Sequence, residues 1–128
     1  MSTNIDYVNV LNSLEKITDA GLIYEAVPED YREKRKNLEG RYDEFKFCCE
    51  WIEKYRFHPT DKQFKKFVQV QTYNSYYLKH FVEKWSGKYI SNGAFIAAVR
   101  FMGLPFRPIY GTPDVSVTVF LKEEATLL

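Results

Sequence analysis

The spacing of the apolar residues changes once along this chain, and that change constrains the fold most strongly. Up to Met102 the apolar residues recur every three or four positions, as on one face of an α-helix. From Val115 to Leu121 every second residue is apolar, which is the period of a β-strand. With the turn residues at 111–114, residues 106–121 predict a β-hairpin. We therefore expect a mainly helical α+β fold that ends in a β-hairpin.

Capping and stop residues divide the helical part into about six segments. Ser, Thr or Asn favours the start of a helix, and Gly or Pro favours its end. The predicted helices cover residues 5–19, 29–39, 41–56, 61–70, 74–85 and 92–102. The C-terminal tail, residues 122–128, is expected to be frayed.

With 128 residues, the chain is long enough for one domain and too short for a multidomain enzyme. We divide this domain (1–128) into an N-terminal helical part (1–59), a module (60–121) and the tail. A membrane-spanning helix needs about 18 consecutive apolar residues, and no stretch of the sequence is that long. The N-terminus lacks a signal-peptide pattern. The adjacent Cys48 and Cys49 cannot form an ordinary disulfide with each other, which favours a reduced, cytoplasmic protein.

The module has the order of a winged helix-turn-helix, with three short helices followed by a hairpin. A Gly-containing turn at 86–90 separates the last two helices, as is common in helix-turn-helix units. In that fold the last helix, here 92–102, enters the major groove of DNA, and the hairpin contacts the backbone as a wing. Helix 92–102 is nearly all apolar, with Arg100 as its charged residue. We therefore expect contacts to phosphates rather than reading of bases.

The near-neutral total charge conceals a basic half. The chain has 18 Lys and Arg against 17 Asp and Glu, yet residues 62–107 contain eight basic residues and one acid, Glu83. This segment has a charge of +7 against −6 for the remainder, and the field near a surface follows the local charge. The predicted nucleic-acid contacts are Lys62, Lys65, Lys66, Lys79, Lys84, Lys88, Arg100, Arg107 and, in the wing, Tyr110.

Aromatic residues make up 17% of the chain, and many fall on the apolar stripes of the helices. Four tyrosines of the basic half lie outside those stripes: Tyr73, Tyr76, Tyr89 and Tyr110. Their rings can stack on bases or contact another protein. Because these rings are interleaved with the basic residues of 62–107, DNA is the first expected partner.

A protein-interaction module is the alternative, because aromatic and Arg residues also mark protein interfaces. Its target would be a host nucleic-acid enzyme or defence complex, as for an anti-CRISPR antagonist. The amphipathic helix 5–19 offers a contact for a homodimer, since helix-turn-helix proteins often pair. Steep salt dependence of binding favours DNA, and a salt-insensitive complex favours a protein partner.

Enzymatic chemistry has little support in the sequence. His80 and Glu83 lie three residues apart on one helix and could share a metal, but a third ligand at a regular spacing is missing. The sequence contains neither a glycine-rich phosphate loop nor the setting of an activated nucleophile. We therefore expect no enzymatic activity, no metal and no cofactor.

Two stretches resemble segments of short phage and bacterial proteins that carry no family name. They are Ser-Tyr-Tyr-Leu-Lys-His at 75–80 and Lys-Tyr-Ile-Ser-Asn-Gly-Ala-Phe-Ile-Ala-Ala at 88–98. The resemblance implies a phage or prophage origin. Small phage proteins of this size are often DNA-binding regulators or antagonists of host defence, so it is compatible with both hypotheses and assigns no site residue.

Overall fold

The computed structural model describes residues 3–14, 16–23, 29–57 and 71–126. Its helices are α1 (Asn4–Ser13), α2 (Tyr31–Glu39), α3 (Tyr42–Tyr55), α4 (Ser75–Ser86) and α5 (Asn92–Phe101). Its strands are β1 (Ile17–Thr18), β2 (Gly21–Leu22), β3 (Thr72–Asn74), β4 (Phe106–Pro108) and β5 (Val115–Thr118), and a 3-10 turn covers Glu123–Thr126. The described part is an α+β fold, and none of its helices is long and apolar enough to cross a membrane.

Helix α5 lies at the centre of the fold. The Ser91 hydroxyl caps it by accepting a hydrogen bond from the Ala94 N–H at 3.3 Å, and residues 90–99 are all buried. Helix α3 packs along it, with the ring centroids of Trp51 and Phe95 6.4 Å apart. Helices α1 and α4 and strand β2 contact it as well. The core is therefore built around a helix that is buried on every side.

Strands β3, β5 and β4 form an antiparallel sheet with β5 in the middle. Val117 pairs with Tyr73 on one side and with Phe106 on the other. The hairpin expected over 106–121 is confirmed as the β4–β5 pair. Strand β3 was not predicted, because three residues are too few to show an alternating pattern and their partner is distant in the chain.

The predicted helix 5–19 is wrong in length. Helix α1 ends at Ser13, and β1 and β2 form a short antiparallel hairpin. Lys16 has a φ of 53° and Gly21 a φ of 127°, both in the left-handed half of backbone space that helices do not use. Ile17, which continues the three-residue spacing of the apolar residues in α1, therefore belongs to a hairpin.

The buried face of α1 also differs from the predicted one. Tyr7 is fully buried, its hydroxyl donates to the Leu38 carbonyl, and its ring centroid lies 4.8 Å from that of Phe45. Burial raises the pKa of the Tyr7 phenol well above its ordinary value. The three-residue spacing of Ile5, Val8 and Leu11 predicts that all three are buried, yet Ile5 and Val8 are 73% and 46% exposed. The side of α1 that carries Tyr7, Val10 and Leu11 is buried instead, and the large Tyr7 ring contributes much of the area that is buried there.

The other described helices begin and end close to their predicted positions. Helix α3 matches the prediction for 41–56 to within one residue at each end. Helices α4 and α5, capped by Asn74 and Ser91, begin and end within one residue of the predicted 74–85 and 92–102. The helix predicted over 61–70 lies outside the described residues.

The tail predicted to be frayed is packed against the domain as far as Ala125. The Lys122 N–H donates to the Tyr55 carbonyl at 2.7 Å, and Leu121 forms an isolated bridge with Arg56. Ala125 is fully buried. The prediction failed because it used only the composition of the tail, and that composition does not reveal contacts with the end of α3.

Candidate functional site

Helix α4 presents aromatic and basic side chains to solvent. Its cap, Asn74, accepts a hydrogen bond from the Tyr76 N–H at 2.7 Å, and Gly87, with a φ of 70°, ends it. Successive helical residues turn by about 100°, so positions 76, 77, 80 and 84 share one side of the helix. We define the α4 surface as these exposed residues plus two from the following turn: Tyr76, Tyr77, His80, Lys84, Lys88 and Tyr89.

Lys79 lies beneath the α4 surface. It is 4% exposed, and its ammonium group donates to the Ile90 carbonyl at 3.0 Å and lies 3.4 Å from the Glu83 carboxylate. The ring centroids of Tyr76 and Tyr89 lie 4.8 and 5.1 Å from its Nζ. Its predicted role as a phosphate contact is wrong, because its ammonium group is buried and already bonded. Cation–π attraction to Lys79 instead holds the two rings in place.

Glu83 joins α4 to the turn that follows it. Its Oε2 accepts a hydrogen bond from the Ile90 N–H at 3.1 Å, and its Oε1 lies 2.6 Å from His80 Nδ1. Burial by itself would raise the pKa of Glu83, but the Ile90 and His80 hydrogen bonds and the charge of Lys79 lower it below its ordinary value. The acid of the basic segment is therefore ionised and already paired.

The tyrosine rings of the α4 surface are held by neighbours and remain accessible. Tyr76 and Tyr77 are each 52% exposed, and Tyr89 is 63% exposed. Tyr77 stacks on Tyr73 with ring planes 4° apart and centroids 6.2 Å apart. The Arg41 guanidinium lies 5.6 Å from the Tyr89 ring centroid. The rings therefore have fixed positions before any partner binds.

Tyr110, at the tip of the β4–β5 hairpin, is 95% exposed. The base of its loop is tied to the core, because the Asp114 carboxylate accepts hydrogen bonds from the side-chain amides of Asn92 at 3.0 Å and Asn74 at 3.2 Å. The Pro113 carbonyl accepts a further bond from β2 at 2.9 Å. Large aromatic side chains are usually buried at least in part, so this ring is a second candidate contact.

The other predicted nucleic-acid contacts lie on different elements. Lys84 is exposed in the last turn of α4, and Lys88 is exposed in the turn after it. Arg100 is exposed in the last turn of α5, and Arg107 is exposed on β4. Lys62, Lys65 and Lys66 lie outside the described residues. Within the described ranges, the fold thus places one pair of the predicted lysines on the α4 surface.

Reading of bases by α5 is incompatible with its burial. The exposed residues of this helix are the last two, Arg100 and Phe101. The other eight are covered by α1, α3, α4 and β2. A helix reads base edges with side chains that are exposed to the groove, and the side chains of α5 are buried along most of its length.

A groove of about 570 Å³ lies between α3 and the end of α5. Its lining consists of Lys46, Cys49, Glu50, Glu53, Lys54, Phe101 and Met102. Complete burial raises the pKa of the neighbouring Cys48 thiol well above its ordinary value, so this thiol is not an activated nucleophile. Among the described residues, no group of three metal-binding side chains occurs.

No protein-family model, curated protein or solved structure matches this chain. Function must therefore be argued from the chemistry of the α4 surface and the Tyr110 loop. Sequence reasoning identified Tyr76, Tyr89, Lys84 and Lys88, but it placed Tyr77 on an apolar stripe. The helical positions of Tyr76, Tyr77, His80 and Lys84, taken together, are the signal that identifies this surface.

Proposed function

We propose that this chain binds nucleic acid through the α4 surface, mainly by contacts to phosphates. The observation that carries the proposal is the charge of this surface. Lys84 and Lys88 are exposed, whereas the carboxylate of Glu83 is paired with Lys79 and His80. Each lysine that approaches a phosphate releases condensed counterions, which favours binding. A surface with exposed cations and a paired acid is complementary to a polyanion.

The order of the elements supports a winged helix-turn-helix-like architecture for this function. Strand β3, helices α4 and α5 and the β4–β5 hairpin follow one another, and β5 lies between β3 and β4. The hairpin takes the place of the wing, with Arg107 and Tyr110 exposed on it. Because α5 is buried, the nucleic acid contacts the α4 surface, and the wing provides further contacts.

Two charge variants test this proposal. We expect Lys84→Gln/Lys88→Gln to weaken binding of labelled DNA and to reduce the slope of log affinity against log salt by about 1.4 to 1.8. The control, Lys46→Gln/Lys54→Gln, makes the same change in net charge on α3 and should leave the slope unchanged. Fluorescence anisotropy with single-stranded and duplex DNA over a series of salt concentrations measures both quantities. If the wild-type chain binds neither DNA at low salt, or if both variants lose the same slope, the proposal is wrong.

Tyr110 supports a second candidate function, binding of a partner protein. An exposed aromatic side chain on a fixed loop matches the anchors that dominate protein interfaces, because little entropy is lost when it is buried. Affinity capture from a nuclease-treated lysate of the source cells tests this function. A partner that is retained by wild-type protein and by Ile5→Ala but lost with Tyr110→Ala supports it. Equal recovery with both variants contradicts it.

A further inference from the structure

We propose that the nucleic acid bound at the α4 surface is single-stranded, with bases stacked on Tyr76, Tyr77 and Tyr89. This inference rests on the proposed function and specifies its ligand. Aromatic rings interleaved with cations are the means by which proteins bind single strands without reading their sequence. Bases of a duplex are stacked on one another, so only an unpaired strand can offer its base faces to tyrosine rings.

The positions of the rings and cations suit one extended strand. Tyr77 and Lys84 are seven residues apart, which is about 10 Å along the helix axis. A nucleotide takes up about 3.4 Å along the axis of a duplex strand and more in an extended strand, but in either case less than this distance, so a ring and a lysine on α4 contact different nucleotides. Stacking on Tyr76 and Tyr77 occurs along the first half of the helix, and Lys84 pairs with a phosphate at its end. Tyr89, from the turn after α4, joins the stacking rings because Lys79 lies against both its ring and that of Tyr76.

The rings are organised before binding. Lys79 lies beneath Tyr76 and Tyr89, and the ring of Tyr73 is parallel to that of Tyr77. Side chains that are already held lose less conformational entropy when a ligand stacks on them. Exposures of 52%, 52% and 63% leave ring surface available for bases. The structure therefore provides a stacking platform rather than isolated flexible tyrosines.

The charge of the α4 surface favours a nucleic acid over a protein as the occupant. Lys84 and Lys88 are exposed cations, and Glu83 has its carboxylate bonded to Lys79, His80 and the Ile90 N–H. Lysine is depleted at the centre of protein interfaces, whereas it is common where phosphates bind. A phosphate strand satisfies both the lysines and the rings of this surface.

Binding of a labelled oligothymidine of about 12 nucleotides, compared with a duplex of the same length, tests the inference. We expect wild-type protein to bind the single strand at least about tenfold more tightly, since each stacked base contributes several-fold or more. Tyr77→Leu should weaken binding of the single strand by about tenfold with an unchanged salt slope. Tyr77→Phe, which keeps the ring, should retain binding, and Tyr31→Leu, a half-buried tyrosine on α2, is the matched control on another element.

Circular dichroism melting of each variant separates loss of binding from loss of folding, and Tyr89→Leu provides a second ring variant. The inference is overturned if single strand and duplex bind with equal affinity and neither Tyr77→Leu nor Tyr89→Leu weakens binding of the single strand. That result would leave the proposed function standing. Absence of binding to both DNA forms at low salt would overturn both. An equal effect of Tyr31→Leu would show that the loss does not depend on the rings of the α4 surface and would also contradict the inference.

Discussion

Lys79 and Lys84 show how the surroundings of a residue decide its role. They lie five positions apart on the same helix, yet Lys84 is exposed and Lys79 is 4% exposed. A buried ammonium group is tolerated only when it is hydrogen-bonded or paired, and Glu83 and the Ile90 carbonyl meet this need. Glu83 also binds His80 and the Ile90 N–H. It is therefore the polar residue of this region whose loss should cost the most stability.

We expect Glu83→Gln to lower the free energy of unfolding near neutral pH by about 1–3 kcal/mol, because it removes charge-assisted hydrogen bonds and leaves Lys79 without its counter-charge. Folding lowers the pKa of Glu83, so its contribution is complete above the ordinary value of about 4.3 and is lost as the pH falls through the folded-state value. Urea unfolding near pH 7 and below about pH 4 should thus show a difference that shrinks in acid. Glu50→Gln, an exposed change on α3, is the control, and wild-type stability of Glu83→Gln at neutral pH would refute this account.

At the scale of elements, the β1–β2 hairpin crosses the start of α5 at very short range. The Gly93 N–H donates to the Asp19 carbonyl at 3.0 Å, which ties the hairpin to the first turn of the helix. A Cβ atom at Gly93 would lie 2.0 Å from the Thr18 carbonyl oxygen and 3.0 Å from Leu38 Cδ1. Glycine is required here by the close approach of two backbones, although it is a poor helix former.

The change Gly93→Ala should therefore lower the free energy of unfolding by about 2–4 kcal/mol, although alanine at an ordinary helical position would raise it by up to about 1 kcal/mol. The control is Gly40→Ala at the end of α2, where the nearest atom to a new Cβ is the Asn37 carbonyl oxygen at 3.6 Å. We expect Gly40→Ala to have a small effect. Thermal melting followed by circular dichroism compares the two, and equal melting temperatures would contradict the close packing at Gly93.

At the scale of the whole molecule, one core joins the N-terminal part to the predicted module 60–121. Helix α5 of the module packs along α3, where Trp51 contacts Phe95, and α1 and β2 cover it further. The tail returns to α3 through the hydrogen bond from Lys122 to Tyr55. The boundary near residue 60 therefore divides the sequence without dividing the core.

A peptide of residues 60–121 should consequently fail to fold on its own, because α5 would expose the apolar side that α3 and α1 bury in the full chain. We expect urea titration of this peptide, followed by circular dichroism, to show no cooperative transition, whereas the full chain shows one. A cooperative transition of the isolated peptide would mean that the module is an independent folding unit.

The sequence by itself determined the features that depend on neighbouring residues. Helix caps at Asn74 and Ser91 and the alternating apolar residues of the hairpin predicted α4, α5 and the β4–β5 pair, because capping and side-chain period are local. Tertiary structure alone decided which faces are buried. Lys79 is inside because the turn after α4 brings the Ile90 carbonyl to its ammonium group. Ile5 is outside because the opposite side of α1, which carries Tyr7, is held to Leu38 of α2. Strand β3 likewise exists through pairing with β5, which is distant in the chain. The α4 surface combines both levels: helical spacing aligns its residues, and the buried Lys79 places its rings.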